Sequence, residues 1–237
     1  MMKKFSGFFG RFTGKAVFAA AFAASIALAG CATEKTPAQQ SGEKQGQQKP
    51  QPLTQYDSGK IYRMDQRPVL PVGSLVAAEP PETDVQLPDS TKIQVVVAAS
   101  EKQEEVAPLK AELERQLGQK VKINTIPRNG FDEFRAIMSQ KPDMVFTIGT
   151  EILGLTDSIS TQYIRTTIVT LGGQIAEPTK NVNAVVWPGA TSRAAVVTEK
   201  MEFGNSAKWA KDAVRMGLLA WLEEEPGMVY VLGAKAE

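Results

Sequence analysis

From about Thr91 onward the chain alternates between two hydrophobic periods. Ile93-Gln94-Val95-Val96-Val97-Ala98 is a short β-branched run with the composition of a buried parallel strand. Val106, Leu109, Leu113 and Leu117 then recur at helical spacing, with Glu104, Glu105, Lys110, Glu112, Glu114 and Arg115 on the remaining faces, and Gly118 stops the pattern. Val121 to Ile126 alternates as a second strand closed by Pro127. After a turn at Asn129-Gly130, the apolar positions Phe131, Phe134, Ile137 and Met138 predict a short helix. Met144 to Ile148 is a third strand, entered through Lys141-Pro142-Asp143 and left through Gly149-Thr150.

The same reading predicts a short helix from Glu151 to Ser158, a strand from Ile164 to Leu171 that ends at Gly172-Gly173, and a strand from Val182 to Trp187. A longer helix runs from Ser206 to about Glu224, with Lys208, Lys211, Asp212, Arg215 and Glu223 on one side and Trp209, Ala213, Met216, Gly217 and Ala220 on the other. Met228 to Leu232 is placed at the edge of the sheet. Strands separated by helices in this way imply right-handed crossovers and a parallel sheet. The expected fold class is therefore α/β, a Rossmann-like parallel sheet over residues 91–237, long enough for one core.

Upstream the pattern dissolves. Residues 32–55 are poor in apolar side chains and rich in Gln, Pro, Gly, Ser, Lys and Glu, so they bury too little surface to offset the entropy of ordering. Between Tyr56 and Ser90 apolar residues return, but Pro68, Pro71, Pro80, Pro81 and Pro88 interrupt them. Residues 31–90 are read as a disordered, Gln/Pro-rich stalk, the later part of which either continues the stalk or lies extended across the domain.

The first fifteen residues carry Lys3, Lys4, Arg11 and Lys15 without an acid, and an apolar run from Ala16 to Gly30 follows. That is the charge and length pattern of a secretory signal, shorter than the roughly 20 apolar residues of a membrane-spanning helix. It ends in Leu28-Ala29-Gly30-Cys31, which resembles the lipobox of bacterial lipoproteins. The resemblance implies a signal peptide over residues 1–30, cleavage between Gly30 and Cys31, and acylation of Cys31 with palmitate-type chains, making the membrane itself a partner. Ala32, where an aspartate is absent, implies sorting to the outer membrane, facing the periplasm.

Composition narrows the chemistry. There is no histidine and one cysteine, which the lipid would consume, so zinc sites and histidine-paired nucleophiles are disfavoured. Neither G-x-G-x-x-G nor a P-loop is present. The expectation is a protein that is not an enzyme and uses neither cofactor nor metal. A net charge of +1 gives no ground for a nucleic-acid partner.

In an open α/β sheet, ligands bind beyond the carboxyl ends of the strands, at loops leading into helix N-termini. Those loops are Ala99-Ser100-Glu101, Pro127 to Gly130, Gly149-Thr150-Glu151 and Leu171-Gly172-Gly173, and the candidate ligand residues are Ser100, Gly149, Thr150 and Gly172. Gly149 and Thr150 equally fit a turn and a helix cap. Lys141 to Thr150 resembles the "KPD, apolar strand, GT" segment of ABC transporter substrate-binding proteins that take aromatic or branched amino acids, and the element order over residues 93–171 agrees with their first lobe. About 50 residues follow Trp187, too few for their second lobe. The expectation is a single-lobe lipoprotein that binds a small ligand or an envelope protein. The alternative is a structural or regulatory outer-membrane lipoprotein acting on a partner such as a cell-wall synthase; an exposed apolar patch around Trp209 or Trp221 would favour a protein partner, against the reading of those tryptophans as core residues.

Overall fold

The fold is described from a computed structural model, over residues 60–177, 179–190, 204–224 and 227–236. Cys31, the cleavage site and the Gln-rich segment lie outside the described residues. Eight strands among those described form one sheet: β1 (Ile61–Tyr62), β2 (Leu75–Ala77), β3 (Ile93–Ala98), β4 (Val121–Ile126), β5 (Met144–Ile148), β6 (Thr167–Leu171), β7 (Val182–Val186) and β8 (Val229–Val231). Their order is β1-β2-β8-β7-β6-β5-β3-β4, and every pairing is parallel.

Parallel strands covered on both faces need continuous apolar runs, and β5 and β7 are buried at every position. Helices α1 (Gln103–Leu117) and α4 (Ser206–Leu222) cover one face. Val106, Leu109 and Leu113 of α1 and Val214 and Leu218 of α4 pack there with Val95, Val97, Phe146, Val169 and Tyr230. Helices α2 (Phe131–Met138) and α3 (Leu153–Ser160) cover the other, where Phe134, Ile137 and Ile159 meet Val96, Ala98, Val145 and Ile168. Gly217 lets α4 lie close to the sheet: a Cβ there would stand 2.8 Å from Phe146 Cε1 and 2.9 Å from Val169 Cγ1.

The crossovers through α1, α2 and α3 share one hand, since β3 to β4 steps toward one edge under α1 while β4 to β5 and β5 to β6 step back over the opposite face. The connection from β7 to β8 steps the same way as β5 to β6, yet α4 lies on the α1 face, so this connection has the other hand. Such connections are rare in parallel sheets. Here it places α4 beside α1 over a shared apolar layer.

Four expectations are corrected. The folded domain begins before Thr91: β1 and β2 pair outside β8, Ala78 N–H donates to Val231 O at 3.0 Å, and Gly73 N–H donates to Gly227 O at 2.8 Å. Residues 60–90 therefore belong to the folded domain, and β8, expected at the edge, is an interior strand. Residues 79–90 cross the domain as a strap, with Val85 and Leu87 against the core beneath α1 and α4 and Lys120 Nζ donating to Asp89 at 2.9 Å. Arg215, which the helical pattern set among solvated charges, is buried under that strap. Its guanidinium bonds Asp84 Oδ1 at 2.7 Å and the Glu82 carbonyl at 2.5 Å. The fourth predicted strand begins three residues late, at Thr167, because Asn181 Nδ2 holds the carbonyls of Ser160, Tyr163 and Thr166 at 3.1, 3.3 and 3.2 Å and turns that stretch into a loop.

Candidate functional site

Strand order reverses between β3 and β5: the chain goes from β3 outward to β4, then returns across β3 to β5. Helices leave those two strands on opposite faces, which opens a crevice at their carboxyl ends, the usual ligand position in doubly wound sheets. Val97 and Ile148 are register partners at that end, so the loops after β3 and β5 lie side by side.

The two loops are joined by a carboxylate. Glu101 Oε1 accepts the Thr150 hydroxyl at 2.8 Å and the Thr150 N–H, and the Glu151 N–H approaches it at 3.4 Å. Ser100 Oγ donates to Glu151 Oε2 in the reciprocal direction. Thr150 to Ile152 form a single 3-10 turn leading into α3. Free N–H groups at such a turn favour an anion, and the anion supplied is the chain's own Glu101. Gly149 makes this approach possible: its φ is +123°, and a Cβ there would lie 2.6 Å from Ala98 Cβ and 2.8 Å from Glu101 Cγ. No side chain fits between strand end and carboxylate.

Three of the candidate residues, Ser100, Gly149 and Thr150, are thus brought together. Gly172 is not part of this contact: it is buried at the end of β6 with its N–H donated to Val185 O at 2.8 Å and a φ of +81°, and the Thr170 hydroxyl beside it donates to Gly173 O. The loop from Pro127 to Gly130 closes on itself through Gly130 N–H to Pro127 O at 2.9 Å. Residue typing missed Glu101 as the central acceptor. An acid two positions before α1 reads as solvated helix-start charge, and nothing local reveals that its partner is Thr150. Two residues back from Gly149, the Thr147 hydroxyl is buried without a protein hydrogen-bond partner.

The charge at the crevice is mixed, with Lys102 and Arg128 exposed on the adjoining loops. Glu101 and Glu151 stand at its mouth, Glu151 exposed and Glu101 half-buried. A free carboxylate or phosphate has to displace Glu101 from Thr150, whereas a cationic group meets two carboxylates directly. At the far edge, a groove of about 530 Å³ lies where Arg63, Met64, Asp65, Ala78, Glu79 and Lys235 meet beyond the ends of β1, β2 and β8. Its charged groups are paired in part among themselves, Arg63 Nε with Asp65 Oδ1 at 3.1 Å. Among the described residues no group of three or more His, Cys, Asp or Glu is placed to hold a metal ion, and no helix is long and apolar enough to cross a membrane.

No family profile and no curated protein matches the chain. Among solved structures, a fragment from Peptoclostridium difficile 630 named as a lipoprotein aligns over 55% of this chain and 97% of its own, at 10% identity and a TM-score of 0.39. ABC transporter solute-binding proteins from Aeropyrum pernix K1 align over 41% of this chain and 29% of theirs, at 11% identity and a TM-score of 0.33. Likeness at this level assigns no family. The α/β assignment rests on the chain's own sheet and helix layers.

Proposed function

We propose that this protein is an envelope lipoprotein, anchored through acylated Cys31 in the outer membrane and facing the periplasm, whose single α/β domain is a non-catalytic binding module. Recognition is assigned to the carboxyl ends of β3 and β5. The observation that carries this reading is the contact of Glu101 with Thr150 at the point where strand order reverses. A loop geometry suited to an anion is held ready there, already filled by an internal group.

That self-occupancy favours a protein partner over a free anionic solute. An incoming carboxylate gains only the difference between its own bonds to Thr150 and those Glu101 already makes, so weak affinity follows. A partner surface that brings Lys or Arg to Glu101 and Glu151 displaces nothing. Support for the lipid anchor comes from the sequence Leu28-Ala29-Gly30-Cys31.

Two measurements test the reading. The Cys31→Ser variant is expected to accumulate as an uncleaved precursor without incorporating labelled palmitate, and normal processing would remove the anchor from the proposal. For the recognition end, the Glu101→Gln and Glu151→Gln variants are expected to lose cross-linking to envelope proteins captured by the parent. Equal capture by parent and variants would remove this end from the reading.

A further inference from the structure

Large apolar side chains exposed among the described residues are Val69 (83%), Ile164 (72%) and Leu222 (41%). Singly such residues are ordinary. Their shared location is not. All strands run parallel, so the sheet has an amino end and a carboxyl end, and all three residues lie at the amino end. Ile164 precedes β6, Leu222 ends α4 beside the entry to β8, and Val69 precedes β2, in a turn that the Arg67–Glu223 ion pair at 2.9 Å ties to the end of α4.

Ile164 is presented, not merely left over. Its loop is pinned from within by Asn181 Nδ2 on three carbonyls, by Thr166 N–H to Tyr163 O at 3.0 Å, and by the Thr166 hydroxyl to Pro142 O at 3.0 Å. Around it at the same end Lys92, Lys141, Arg165 and Lys180 are exposed. Among the acids of this end, Asp143 accepts Lys92 N–H, Asp89 pairs with Lys120 and Glu223 with Arg67, while Glu114 and Glu224 are exposed. The opposite end carries Glu101 and Glu151 together with Lys102 and Arg128.

The chain arriving from Cys31 also joins here, since Lys60 directly precedes the amino end of β1. The 28 residues between Cys31 and Lys60 let those two positions lie at most about 100 Å apart, so contact with the anchoring bilayer is within reach. We propose that the amino end of the sheet is a membrane-resting surface. Ile164, Val69 and Leu222 enter the headgroup region, the exposed lysines and Arg165 face anionic lipid, and the Glu101 end points away from the bilayer. Shallow apolar insertion combined with basic side chains is the usual basis of such peripheral contact.

This inference rests on the lipoprotein reading, and its test separates the two. Lipidated full-length protein is reconstituted into phosphatidylethanolamine/phosphatidylglycerol liposomes, with Cys31 acylation read by mass spectrometry. Because Cys31 is the chain's sole cysteine, Gln162→Cys or Arg128→Cys supplies a unique fluorophore site beside Ile164 or at the opposite end. Headgroup-borne quencher is expected to quench the Gln162→Cys probe strongly and the Arg128→Cys probe weakly. Adding Ile164→Asp to the Gln162→Cys protein, or using pure phosphatidylcholine, is expected to abolish most of that difference. Equal quenching at the two sites, stronger quenching at Arg128→Cys, or no effect of Ile164→Asp on acylated protein overturns the inference while leaving the anchor intact. Absence of acyl chains on Cys31 overturns the lipoprotein reading, and the inference with it.

Discussion

Asp84 and Arg215 are 131 residues apart in the chain and 2.7 Å apart in space, and their ion pair ties the strap to α4. The same carboxylate takes a two-pronged contact from Arg115 of α1 at 2.8 Å, so one side chain fastens both helices of that face. Arg215 is 6% exposed and depends on Asp84 for its countercharge. Removing the half-exposed Asp84 leaves the buried Arg215 desolvated without its carboxylate, whereas replacing both avoids that penalty. Asp84→Ala is therefore expected to lower the thermal midpoint clearly, and Asp84→Ala combined with Arg215→Met to recover part of the loss. A double variant no more stable than the single one would show that Arg215 does not need this partner.

The same pair sets an acid limit. Hydrogen bonds from Arg115, then Arg215, hold the Asp84 carboxyl well below the ordinary aspartate range. A group whose pKa is lowered on folding contributes stability that is present above its unfolded value, about 3.9, and lost as pH falls below it. Denaturant midpoints are expected to fall from about pH 4 downward, and to fall less steeply in Asp84→Asn, where the protonation has nothing left to remove. An unchanged slope in that variant would place the acid sensitivity elsewhere.

At the crevice, Thr150→Val removes the hydroxyl bond to Glu101 while nearly keeping volume. The acceptor is a carboxylate, so the expected loss of stability is about 1.5 to 3 kcal/mol. Gly149→Val is expected to cost more, because its φ of +123° and the 2.6 Å approach to Ala98 Cβ leave no room for a branched side chain. Urea unfolding of both variants checks the order. Thr150→Val proving the more damaging would contradict the assignment of Gly149 as the residue that admits Glu101.

Thr147 is predicted to behave in the opposite sense from Thr150. Its hydroxyl is buried on β5 without a protein partner, and an unsatisfied buried polar group costs about 1 to 3 kcal/mol. Thr147→Val is expected to leave stability unchanged or raise it by about 1 kcal/mol. A loss above about 1 kcal/mol would mean that the hydroxyl is bonded to ordered water that the valine displaces.

Close packing of α4 on the sheet gives a further measurement. Gly217→Ala puts a methyl 2.8 Å from the ring of Phe146, which is itself fully buried. Overpacking of this kind costs about 1 to 3 kcal/mol despite the higher helix propensity of alanine. A stabilised variant would show that α4 shifts freely on its face.

What the sequence by itself determined is everything carried by local periodicity. β3, β4, α2 and β5 have the bounds their residues announce, from Ile93–Ala98 to Met144–Ile148. A buried strand must be apolar along its length and a helix must repeat its apolar side each turn, and both signals lie within one short window. β1 and β2 carry no such signal: two and three residues among prolines are too short for a period, and they become strands only because β8 offers an edge to pair with. Tertiary structure alone decided the rest. Arg215 follows the charged stripe of its helix and is buried because a strap 131 positions away in sequence crosses it. Glu101 looks like a solvated acid until β3 and β5 become neighbours and bring Thr150, 49 positions on, within hydrogen-bond reach. Contacts between residues that far apart depend on strand order, and strand order is settled by how whole faces pack, which no local window of the chain contains.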